Sequence, residues 1–191
     1  MLRSDGVNTQ IYTNTAHDLG IYTSGNVGQL HLKQSNGNVG IGVVPEAWHS
    51  AFQQVLQVGP VSLSTSGGDN ARLYSNTYYD GAYKRIGTGL TAAYEQASGT
   101  HRWYHAATGS ADSSFTWTES MRIDDSGHVM VGTTDDAAGA GNSITGISLR
   151  GGTDNRSFFS EASNYVMHLN RKTNDGNILE FAKDGSNVGS I

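Results

Sequence analysis

The chain has 191 residues, a formal net charge of −5 and no cysteine, so a large multidomain enzyme is excluded, as are disulfides, thiolate metal sites and thiol catalysis. Gly, Ser, Thr and Asn make up about two-fifths of the residues, while charged residues are 15%. That composition suits many short strands joined by tight turns, because Gly and Asn supply the positive φ such turns need, and it excludes a helix bundle.

Taken in chain order, residues 1–29 read as a shaft-like segment in which Ser24–Gly28 is a weak hairpin marker. Residues 30–59 begin with a stronger one. Leu30 and Leu32 alternate toward a turn at Asn36-Gly37, and Val39 and Ile41 alternate away from it. Asn-Gly between alternating apolar residues is the strongest short hairpin signal. The unit Ser35–Gly42 returns ninety residues later as Asp125–Gly132, flanked by Met121 and Ile123 before and containing Val129 and Val131. Gly37, Gly42, Gly127 and Gly132 are therefore expected as structural turn residues.

After the first hairpin, Pro45 and the spacing of Trp48, Phe52, Val55 and Leu56 predict one short helix near 46–56, ended by Gly59 and Pro60. Residues 60–120 read as a β-rich module, with strand candidates at 71–74, 78–86, 92–96, 101–106 and 114–118. Residues 121–146 carry the second hairpin repeat. Residues 147–191 read as a C-terminal β module, with strands at 158–159, 165–171 and 178–182 and a turn at Asn174–Asn177. A further hairpin marker is Asp184–Gly189. The fold class expected is thus mainly all-β, modular and elongated, with β-hairpin repeats and that one helix.

Leu, Ile, Val and Phe supply only about one-fifth of the chain, thin for a lone globule that must bury roughly 70% of its unfolded surface. Burial between identical chains would fill the deficit. The 12 Lys and Arg are dispersed and the pI is near 5.7, which argues against nucleic acid as a partner. The sequence has neither an apolar run of roughly 20 residues nor, over residues 1–14, a signal-peptide stretch, so no membrane insertion is expected.

Chemistry-bearing patterns are weak. His101 and His105 share a strand face but lack a third ligand, and Asp124-Asp125 and Asp135-Asp136 sit beside turns, where Asp bonds its own backbone. Gly87-Thr88-Gly89 beside Lys84-Arg85 lacks the Gly-Lys-Ser/Thr of a phosphate loop. Asn155-Arg156-Ser157 matches a glycosylation sequon. The expectation is no enzyme activity, no cofactor and no catalytic or metal-ligating set. Tyr78, Tyr79 and Tyr83 around the Asp80-Gly81 turn are the candidates for receptor binding, since Tyr beside Asp suits a sugar face. Packing within the fold is the competing role for them.

Several segments carry a likeness in order: GNVGIGVVPEAWHSAFQQVLQVG (37–59), NTYYDGAYKRIGTG (76–89), HRWYHAATGSAD (101–112), FTWTESMRIDDSGHVMVGTT (115–134) and ILEFAKDGSNVGSI (178–191). Together they resemble tail-fiber and appendage proteins of tailed bacteriophages, which commonly repeat a "MRID-SGNVGIGTT-P" unit. The resemblance implies a homotrimeric, β-rich fiber or knob on the virion, assembled in the host cytoplasm, that joins other tail or fiber proteins and attaches to a host; the bacterial surface glycan expected as a partner comes from the tyrosine cluster and not from the resemblance. A polysaccharide-degrading tailspike and a capsid-bound head fiber or decoration protein are the alternatives. His128 and Met130 depart from the family's Asn and Gly, and Asp135-Asp136 stands where Pro often follows. Relatives usually continue past a segment like 178–191, which implies that this chain is a fragment of a longer fiber.

Overall fold

Alternation of apolar with small polar residues builds strands along most of the chain. The computed structural model describes residues 2–4, 9–11, 17–21, 29–52, 54–151 and 155–190, so the Ser24–Gly28 marker lies outside the described residues. β1 (Leu2–Ser4) and β2 (Thr9–Ile11) pair as a separate antiparallel hairpin. The main body is one twelve-stranded sheet. Its first half is β3 (Leu19–Ile21), β4 (Leu30–Leu32), β5 (Val39–Ile41), β6 (Gln54–Val58), β7 (Val61–Thr65) and β8 (Ala71–Ser75). β9 (Thr77–Tyr79) and β10 (Tyr83–Arg85) form a two-stranded hairpin of their own. The sheet resumes with β11 (Gly89–Ala97), β12 (Thr100–Gly109), β13 (Thr118–Ile123), β14 (Val129–Val131), β15 (Gly146–Leu149) and β16 (Ser157–Ser160). The expected module boundaries at 120/121 and 146/147 fall inside β13 and β15. β17 (Glu180–Lys183) and β18 (Ser186–Ser190) form a last hairpin.

Both sequence repeats are hairpins, β4–β5 and β13–β14, and they match in detail. Gly37 and Gly127 occupy the turns at φ +70° and +80°. Gly42 and Gly132 leave the second strand at φ +69° and +68°, and their N–H groups donate to the carbonyls of Gln29 (3.1 Å) and Ser120 (3.0 Å). Beyond that point the copies diverge. A Cβ at Gly40 would meet the Val43 carbonyl at 2.2 Å, so the chain after the first repeat lies directly on the sheet and returns as the parallel strand β6. Met130 stands at the equivalent place in the second repeat and is buried, and residues 133–145 lead instead to the antiparallel strand β15.

The helix expected over 46–56 is not there, and the described residues contain no helix. Residues 43–52 form an irregular crossover, with isolated bonds from Trp48 N to the Glu46 carbonyl and from Phe52 N to the His49 carbonyl, and β6 starts at Gln54. Trp48, Phe52 and Val55 do reach one core, which is what their spacing detected. The residues that decide are Leu56 and Gln57. A helical face would bury Leu56 beside Val55, whereas here Val55 and Gln57 are covered and Leu56 is exposed, the period-2 pattern of a strand. Gly59 and Pro60 form the turn into β7.

The C-terminal region differs from expectation too. Residues 161–179 contain no strand, so neither the strand expected over 165–171 nor the turn at Asn174–Asn177 forms, whereas the Asp184–Gly189 marker is the last hairpin, turning at Asp184-Gly185, both at positive φ. Ser114 contributes a single bridge to Lys84, and the strand expected over 114–118 begins only at Thr118.

Candidate functional site

Strand parity gives the sheet two chemically distinct faces. On one face lie Val55, Gln57, Ser62, Ser64, Tyr74 and Glu95, all buried. The crossover 43–52, the β9–β10 hairpin and residues 110–117 cover it. Their contribution is aromatic: Trp48 meets Phe52 edge-on at 5.4 Å, Phe52 meets Tyr79 at 5.2 Å, and Trp117 stacks on Tyr74 at 6.0 Å. Each such pair contributes roughly 0.5–1.5 kcal/mol beyond area burial. Gln57 joins cover to sheet, its Oε1 accepting from Glu46 N (3.0 Å) and Trp48 Nε1 (3.4 Å). Asn38 Oδ1, fully buried, accepts from Val55 N at 3.1 Å.

The opposite face is apolar and uncovered. Direct cross-strand partners run from Leu19 to Leu32, Val39, Leu56, Leu63 and Leu73. The same rung continues through Tyr94, Trp103, Met121, Val131, Ile147 and Phe159. One unbroken row thus crosses all twelve strands without a charged side chain. Leu63 and Leu73 are 51% and 48% exposed, and open depressions of about 540 and 300 Å³ indent the row beside them. The distribution is inverted for a lone chain: serines and a glutamine are covered, with Ser62 Oγ and Ser64 Oγ lacking a hydrogen-bond partner, while leucines face out. Contiguous exposed apolar surface of this kind marks an interaction face.

The tyrosines singled out in the sequence are brought together inside the aromatic cover. Tyr78 is buried, and its hydroxyl donates to Asp112 Oδ1 at 2.8 Å. Burial, with this bond to a carboxylate second, holds its phenol well above the ordinary range. Tyr79 and Tyr83 are half-buried and meet edge-on at 4.9 Å. At the tip, Lys84 Nζ donates to Asp80 Oδ2 at 2.6 Å.

The weaker motifs are used locally. His101 Nδ1 lies 2.5 Å from the Tyr94 hydroxyl and His105 Nδ1 2.7 Å from Ser120 Oγ. Asp124 Oδ1 accepts from the turn amides of Ser126 (3.0 Å) and His128 (2.8 Å), and Asp135 Oδ1 from Ala137 N (2.8 Å). Arg85 is buried; it donates to the carbonyls of Gly89 and Ala107 and to Ser113 Oγ, and lies 4.8 Å over the Phe115 ring. The set that sequence reading missed is Arg72, Glu95 and Arg102, which three neighbouring strands align in one row on the covered face. Glu95 accepts from Arg72 Nε and from Arg102 Nη1 (2.9 Å).

Comparison with protein-family models, with curated proteins and with solved structures found no match.

Proposed function

We propose that this chain is a structural and adhesive component of a phage tail fiber, working as a homotrimer on the virion and carrying out no chemistry of its own. The observation that carries the reading is the twelve-rung apolar face. It needs a cover as long as the sheet and free of charge, and a second and third copy of the same chain supply that. The number three comes from the resemblance of the repeat segments to tail-fiber proteins, whose chains associate about a threefold axis. Joined this way, the leucines become the core and the aromatic cover faces outward, where a host surface glycan would be met.

Sedimentation or light scattering of the whole chain at micromolar concentration tests this. The expected mass is about three times the 20.3 kDa of one chain. A stable, compact monomer would overturn the proposal, because the apolar face would then be tolerated in water.

A further inference from the structure

Strand parity puts two imidazoles on the apolar face. The bulge opposite Trp103 and Tyr104 adds its extra residue, Ser120, to β13, so β12 keeps its alternation and His101 and His105 lie on the same side as Trp103. Their cross-strand neighbours there are Gln96 and Ile123 for His101, and Ala92 and Thr118 for His105. Across the twelve strands, from Leu19 to Phe159, the titratable side chains that the register places on this face are Tyr94, His101 and His105, with no Lys, Arg, Asp or Glu among them. Among the described residues neither imidazole has a carboxylate within 4.0 Å. The acidic group at the end of these strands is Asp125, in the β13–β14 turn, whose Cβ lies 3.6 Å from where a Cβ on Gly99 would stand.

The hydrogen bonds suit neutral rings. Gln96 Nε2 donates to the Tyr94 hydroxyl at 3.0 Å, and that hydroxyl, 2.5 Å from His101 Nδ1, then has its own hydrogen to give to the ring nitrogen. Such a chain calls for an Nδ1 without a proton. His105 Nδ1 meets Ser120 Oγ at 2.7 Å on the bulge. In the open chain water reaches both rings, since His101 is half-buried and His105 exposed. Covered by another copy of a face without anionic groups, a protonated ring would lose water and gain no counter-charge, which is costly.

Resting on the copy-to-copy reading above, we propose that His101 and His105 make association through the apolar face a pH-sensitive switch, closed while both imidazoles are neutral and opened when they take up protons in mild acid. The joined state binds fewer protons than the separate chains, so association weakens as pH falls through the imidazole range. Each chain carries two of these rings, and three copies would bring six into the contact.

Sedimentation velocity of the full chain, over a concentration series at pH 7.5 and pH 5.5 and fixed ionic strength, tests this. The expected result is a fall in the association constant of at least about a hundredfold at the lower pH, which full covering of two imidazoles already provides at roughly tenfold each for one pH unit below the ordinary imidazole titration. In the double variant His101→Gln with His105→Gln, whose amides hydrogen-bond but carry no charge at either pH, the fall should shrink to within about threefold, although His17, His31, His49, His128 and His168 remain. Where that variant loses its strand circular dichroism, calorimetric dilution of the wild type near pH 6.5, in two buffers of different ionisation enthalpy, must show net proton uptake as the copies separate. Equal association of the wild type at the two pH values, a dependence that survives in the folded double variant, or dissociation without proton uptake each overturns the switch and leaves the fiber reading standing. A monomer at pH 7.5 removes the fiber reading and the switch with it.

Discussion

Leu63 and Leu73 face each other across β7 and β8, near the middle of the apolar face. Replacing them as Leu63→Lys with Leu73→Glu puts opposite charges in a cross-strand pair, which the isolated sheet accommodates. Both side chains are about half exposed, so half of the roughly 1.5–3 kcal/mol available from burying a leucine is still to be gained on association, about 0.8–1.5 kcal/mol each. Across three chains that is six side chains and roughly 5–9 kcal/mol, a loss of at least about three orders of magnitude in the association constant at 1.4 kcal/mol per tenfold. Desolvating the new charges adds to it. Sedimentation velocity over a micromolar concentration series should find the double variant near 20.3 kDa, with strand circular dichroism retained. If the variant sediments like the wild type, these leucines do not lie in the contact and the assignment of the apolar face is wrong.

Three further outcomes follow from local geometry. Gly127→Val puts a β-branched residue at φ +80°, a strain of about 1–3 kcal/mol, and the melting temperature should fall by roughly 3–10 °C; an unchanged melting curve would show that the turn refolds around the side chain. Tyr78→Phe removes the donor to Asp112 and should cost about 1–2 kcal/mol in denaturant unfolding, without altering the aromatic contacts. Burial, and secondarily Asp112, raise the Glu46 carboxyl above its ordinary value. The folded chain then holds that proton more tightly than the unfolded one, so this group's contribution to stability falls as pH rises through its titration. Glu46→Gln should therefore raise the melting temperature at pH 7, and the gain should vanish in acid below the unfolded carboxyl's titration.

The repeats were legible because their signals are local. Asn36-Gly37 and Ser126-Gly127 lie between residues that alternate, and positive φ at the glycines needs nothing from the rest of the chain. The segment 46–56 was misread because an aromatic at i and i+4 followed by Val at i+7 suits a helix as well as a loop that turns back onto its own strand. Only the parity of Leu56 and Gln57 separates them, and Gln57 is an unusual residue to bury. Alternation shows that a strand has two faces, and which of them is covered depends on the crossover 43–52, the β9–β10 hairpin and residues 110–117, which pack on the side of Val55, Gln57 and Tyr74. The run 165–171 alternates but pairs with no strand among the described residues. Arg72, Glu95 and Arg102 stand far apart along the chain, and only the register of three strands puts them in a row. Tyr78, Tyr79 and Tyr83 share the β9–β10 hairpin, a local feature, while their burial depended on the crossover above them.

In the twelve-stranded sheet, each strand pairs with the sheet strand that precedes it in the chain. Every addition is then a hairpin or a short return onto an edge already formed, so a ribosome could lay the sheet down from the first strand onward, with little loop entropy lost at each step. Growth of that kind is also reversible in design: removing or inserting a pair of strands preserves the direction and parity of all that follow. A sheet ordered this way can change its length by recombination between copies of its hairpin repeat without rethreading the chain.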